Sequence, residues 1–170
     1  MKIPVFVSCP TDLNPQQEES RKLILNELED LQLEPRALGR GDYPAELPLR
    51  EVLSISRHCA GGIIPGFAQF EADSGTQKKG CKENEKKISE PVLFPTPWNQ
   101  LEAGILAAHH LPILIFREPT IDGGIFDRGV SDVYIHEMPT PSLSKAKKQG
   151  LKQVFLKWSA QVRRVYYGEK

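Results

Sequence analysis

Apolar positions along the chain follow two rhythms. Short apolar runs at 3–7, 60–65, 113–116 and 133–135 end in Gly, Pro or polar residues, as buried strands do. A further run at 33–38 is interrupted by Pro35, which places that strand near a sheet edge. Between the runs the spacing turns helical. Residues 16–32 carry Leu23, Leu28 and Leu31 on one side and Glu-rich polar positions on the other. Residues 48–59 carry Leu49, Val52, Leu53 and Ile55, and 144–165 carry Leu151, Val154, Phe155, Trp158 and Val162.

The fourth helix is the most informative. Thr96 is suited to cap it, and Pro97 to its first position, where a missing N–H costs nothing. Leu101, Ile105 and Ala108 then form one apolar stripe, and the helix stops near His109-His110, before Leu111-Pro112 opens the next strand. Trp98 and Glu102 are four apart, hence on one face. An aromatic ring and a carboxylate together at a helix start, feeding a central strand, are site-like. The plainer alternative is a core Trp with an exposed first-turn Glu that favours the helix dipole.

Residues 68–89 break the rhythm, being polar, charged and without apolar periodicity. With the brief apolar anchor Val92-Leu93-Phe94 they form a charged loop insertion over 68–96. A glycine-rich loop follows at 122–129. Five strands alternating with four helices predict an α/β fold, a flavodoxin-like three-layer sandwich on a mostly parallel five-stranded sheet, in a single domain spanning 1–170.

Composition narrows the partners. Lys+Arg and Asp+Glu both number 22, so the net charge is zero, which argues against a nucleic-acid partner. Cys9, Cys59 and Cys81 are widely spaced, with no metal-ligand pairing, and read as reduced thiols. The first apolar run is too short for a signal peptide, and no 18-residue apolar span exists. The expectation is a soluble, cytoplasmic protein with neither membrane nor metal.

In an open parallel sheet, ligands bind outside the carboxyl ends of the strands. Residues 8–12, the loop at 39–44, Gly66-Phe67 and the segment from Trp98 to Glu102 should therefore converge. They offer hydroxyls, backbone N–H groups, an aromatic face and a carboxylate, which suits a nucleoside or nucleotide. No phosphate-cradling glycine motif and no nucleophile elbow is present. Gly61-Gly62 lies inside a strand and reflects close helix packing. His58, His109, His110 and His136 are scattered, and His109-His110 suits a helix C-terminus better than a metal. Cys9 reads as site wall, and Asp42 and Asp127 as turn acids.

Val5-Phe6-Val7-Ser8 with Asp12, Leu28-Glu29, Ile55-Ser56-Arg57 and the Trp98-x-x-x-Glu102 spacing together resemble Toll/interleukin-1 receptor (TIR) domains. The layout is also similar to the nucleoside 2-deoxyribosyltransferase-like fold. The resemblance spans roughly 3–135. It departs from TIR domains in the insertion and in the Thr-Pro before Trp98, and from the transferases in lacking their Asp-Gly-Thr. It implies cleavage of the N-glycosidic bond of NAD, as substrate and not cofactor, in bacterial antiphage defence and in a homo-oligomer. Glu102 would be the catalytic carboxylate and Trp98 the wall against base or ribose. Ser8, Cys9, Asp12, Asp42, Gly66 and Phe67 would complete the substrate site. A nucleoside or nucleotide N-glycosidase or deoxyribosyltransferase is the alternative, and a non-catalytic nucleotide-binding or assembly module a third.

Overall fold

In the computed structural model, which describes residues 2–39 and 47–168, strands and helices alternate along the chain. In order these are β1 (Ile3–Val7), α1 (Pro15–Asp30), β2 (Leu33–Arg36), α2 (Pro48–Arg57), β3 (Gly62–Gly66), β4 (Phe70–Ala72), β5 (Thr76–Gln77), β6 (Lys86–Lys87), β7 (Val92–Phe94), α3 (Pro97–Ala108), β8 (Ile113–Arg117), β9 (Ile135–Glu137) and α4 (Lys145–Tyr167). The main sheet has the order β2-β1-β3-β8-β9, with every neighbouring pair parallel. This is a three-layer α/β fold of flavodoxin-like order. The Pro35 strand, β2, is indeed at an edge, where a missing N–H is tolerated.

The pleat sends alternate side chains into two separate cores. Val5, Val7, Ile63, Leu114 and Phe116 pack with Ile24 and Leu28 of α1 and with Phe155, Trp158 and Val162 of α4. Phe6, Ile64 and Ile115 pack on the other face with Val52 and Ile55 of α2 and Ala103 and Leu106 of α3. From β1 the chain crosses to β2, then returns past β1 to reach β3. The chain reversal therefore lies between β1 and β3, the place where open α/β sheets leave a crevice for ligands.

Local chemistry explains the element ends. Asn14 caps α1 by accepting from Gln17 N at 2.9 Å, while Asn14 N donates back to the Gln17 side chain at 3.2 Å. Close helix packing accounts for Gly61-Gly62. A Cβ on Gly61 would lie 2.6 Å from Val162, and one on Gly62 would overlap Leu106.

Three expectations change. The charged insertion is not structureless: β4 pairs antiparallel with β7, and β5 with β6, giving a two-part hairpin arm. Its strands are mostly exposed, so backbone pairing forms them without an apolar alternation to reveal them. The fifth parallel strand is Ile135–Glu137 and not 133–135. Tyr134 is exposed, and it is the backbone of Ile135, His136 and Glu137 that pairs with Ile115, Phe116 and Arg117. Finally, α3 turns a different face inward: it buries Asn99, Glu102, Ala103 and Leu106, while Leu101 is 44% exposed and Ala108 faces solvent.

Candidate functional site

The inward face of α3 has the spacing i, i+3, i+4, i+7, so its polar members enter the protein beside the apolar ones. Thr96 caps the helix, its hydroxyl accepting from Asn99 N at 3.3 Å. Asn99 and Glu102 then point toward Ser8, the first residue after β1, at the chain reversal. Ser8 is itself fixed by its N–H, which donates to Ile63 O at 3.0 Å.

Ser8, Asn99 and Glu102 are all buried, and Glu102 is only 8% exposed. The Ser8 hydroxyl donates to Glu102 Oε2. Asn99 Nδ2 donates to Ser8 O at 3.0 Å and to Ser8 Oγ at 2.8 Å. Thr96 Oγ donates to Asn99 Oδ1 at 3.2 Å. Burial pushes the Glu102 carboxyl up from 4.5 to about 7, against the opposing pull of the Ser8 hydroxyl, which favours the anion. Glu102 is thus balanced between its two protonation states near neutral pH. It is not the exposed first-turn acid of the plainer alternative: it sits in the second turn, and α3 has no acidic residue in its first.

These residues line a cleft of about 330 Å³. Cys9, Pro10, Thr11 and Asp12 form one wall, Leu38, Gly39 and Pro48 another, and Gln69, Thr96 and Trp98 close the rest. Trp98 is 41% exposed, presenting an aromatic face to whatever enters. A buried carboxyl, a fixed hydroxyl and an indole around a small cleft can hold a ribosyl group and stabilise positive charge on it.

The cleft brings together Ser8, Cys9, Asp12, Trp98 and Glu102 of the expected site residues. Gly66 and Phe67 are placed elsewhere. Phe67 is fully buried in the α1–α4 core, and the side-chain position of Gly66 faces the Phe126 ring. Asp42 lies outside the described residues. Asp127 accepts from Gly123 N at 2.7 Å, as a turn residue does. Asn99 was missed by the sequence reading, although its spacing of three to Glu102 and seven to Leu106 marks the inward face once a buried polar residue is allowed there.

A larger cavity, about 720 Å³, opens at the carboxyl ends of β8 and β9 beside α1 and α4. Its charged groups are largely spoken for. Arg117 binds Asp122 at 2.6 Å and two backbone carbonyls, Lys147 meets Glu137 at 3.4 Å, and Glu118 accepts from Ala68 N at 2.6 Å. Burial lowers the pKa of His136 in its wall. It offers no buried carboxylate to match Glu102. Among the described residues, no helix is long and apolar enough to cross a membrane.

No family model matches this chain, and no curated protein or solved structure matches it.

Proposed function

We propose that the protein cleaves the N-glycosidic bond of a nucleoside-containing small molecule, with NAD as the first candidate. The observation that carries this reading is the buried Glu102 carboxyl, held by Ser8 at the chain reversal and walled by Trp98. The resemblance to TIR domains and to nucleoside deoxyribosyltransferases supports it, because both place a working glutamate on the corresponding helix.

Departure of the base leaves positive charge on C1′ and the ring oxygen of the ribose. A carboxylate fixed beside that carbon stabilises the charge more than it stabilises the ground state, and so lowers the barrier. The C1′–N bond breaks with its electron pair leaving on nicotinamide, which departs neutral. Water then adds to C1′ and gives up a proton. Trp98 stacks against the base or ribose, and Ser8 keeps Glu102 aimed. By the same resemblance, the setting is cytoplasmic antiphage defence and the active form a homo-oligomer.

One observation favours a second reading, a neutral nucleoside as substrate. Among the described residues lining the cleft none is Lys or Arg, so no cation is on hand for a pyrophosphate.

The test is chromatography of NAD incubated with concentrated protein, wild type beside Glu102→Gln. Nicotinamide released by wild type alone is the expected result. Base released from nucleosides but not from NAD selects the second reading. No release from either overturns the proposal and leaves a binding module, while equal release by Glu102→Gln overturns the assignment of Glu102.

A further inference from the structure

A serine hydroxyl has one proton and can either donate to a carboxylate or accept from a carboxylic acid. Which of these Ser8 does decides which form of Glu102 it favours. The surrounding hydrogen bonds bias the choice. Ser8 O is a carbonyl and can only accept, so the Asn99 amide atom 3.0 Å from it must be the Nδ2 donor. That fixes the amide orientation without reference to Ser8 Oγ. The second Nδ2 proton then goes to Ser8 Oγ at 2.8 Å. At the other end, Asn99 Oδ1 accepts from Thr96 Oγ at 3.2 Å. One of the two lone pairs of Ser8 Oγ is thus taken by an amide N–H, which polarises the hydroxyl and favours its own proton going to Glu102 Oε2.

We infer that Asn99 is the positioning residue of this site: by donating to Ser8 Oγ, it biases that hydroxyl toward donating to Glu102 and so favours the carboxylate. The chain runs Thr96 to Asn99 to Ser8 to Glu102, every proton pointing toward the acid. Asn99 does not touch Glu102 through any of these bonds; it acts through the Ser8 hydroxyl. Its value is to offset burial, which alone favours the protonated acid and would leave nothing to stabilise a cationic sugar. Among the described residues, other groups facing the cleft are few. The segment after β1 contributes the titratable Cys9 and Asp12. Leu38, Gly39 and Pro48, Gln69 of the hairpin arm, and Thr96 and Trp98 of α3 bring no titrating side chain.

The inference rests on Glu102 being the working carboxylate, but its test needs no turnover. The protonation midpoint of Glu102 is read from its carboxyl infrared band, assigned by subtraction of Glu102→Gln. It is followed in wild type, Ser8→Ala, Asn99→Ala and the double variant, with circular dichroism as the check on folding. Ser8→Ala should raise the midpoint by about one pH unit through loss of the donor. Asn99→Ala should raise it in the same direction, and the double variant no further than Ser8→Ala alone, because Asn99 acts only through Ser8. Additive shifts, or an unchanged midpoint in Asn99→Ala, overturn the relay. If Asn99→Ala does not fold, the near-isosteric Asn99→Leu, which also lacks the amide donor, takes its place, and an unmoved midpoint there overturns the relay equally. A protein that passes this test yet leaves NAD and nucleosides intact has lost the enzymatic reading and kept the relay.

Discussion

Ser8 and Glu102 stand 94 positions apart and meet in a buried hydrogen bond, hydroxyl to carboxylate. Strand β1 and helix α3 are fixed relative to one another by the sheet, so this contact is a product of topology and not of local sequence. It also leaves a carboxyl in a dry place. The unfolded chain holds Glu102 near 4.5, whereas the folded protein raises it to about 7. The native state therefore binds the extra proton between those values, and stability falls as pH rises across that window. The full span corresponds to roughly 3 kcal/mol. Urea unfolding of wild type and Glu102→Gln at about pH 4.5 and about pH 8 should show wild type losing that much relative to the variant on going up. Parallel pH curves for the two proteins would remove the assignment.

The same titration predicts an activity profile of opposite slope. If the carboxylate is the working form, kcat/KM for base release rises about tenfold per pH unit below neutrality and levels off above about 7. Stability and activity then pull apart over one pH range: the contribution of Glu102 to stability is greatest where it is protonated and idle. A profile that falls through neutrality would instead make Glu102 a general acid.

Much of the architecture was legible from the chain. Strand β1, the edge position of β2, and helices α1, α2 and α4 followed from apolar runs, Pro35 and helical spacing, because each buries enough apolar side chain to leave a pattern. The hairpin arm buries little, so it left none. Helix α3 misled for a sharper reason. Its most regular apolar stripe, Leu101 with Ile105, is not its inward face, since two of the buried places are held by Asn99 and Glu102. Polar residues occupy core positions only where each finds a partner, and such a partner 91 or 94 residues away is invisible to periodicity. Truncation separates the two faces. Leu106→Ala, at a fully buried site, should cost about 2–5 kcal/mol. Leu101→Gln should change stability by about 0.5 kcal/mol or less. Denaturant midpoints check both, and a large loss at Leu101 would restore the stripe as the packed face.

Trp98 is the residue whose removal should separate binding from folding. Its ring is partly exposed at the cleft, beyond the packed cores. Trp98→Ala should leave the melting temperature nearly unchanged and raise KM roughly tenfold through loss of an aromatic face. Trp98→Phe should recover most of that. Unfolding of the alanine variant would show the indole to be structural after all.

Two glycines make opposite predictions from the same substitution. Gly62 in β3 faces Leu106 of α3 so closely that an added methyl would overlap it, and the leucine side chain sits in a filled core. Gly62→Ala should therefore destabilise by about 1–3 kcal/mol, by pushing α3 off the sheet. That displacement would also carry Glu102 away from Ser8, so activity should fall further than stability does. Gly104 lies on the outward side of the same helix with nothing within 4 Å of its missing Cβ. There a methyl costs no space and removes backbone freedom from the unfolded chain, so Gly104→Ala should stabilise by about 0.5–1 kcal/mol with the site untouched. Thermal unfolding of the two single variants, read beside base release, tests the packing of α3 at both faces. Equal effects of the two substitutions would mean that the helix is not seated on β3 as described.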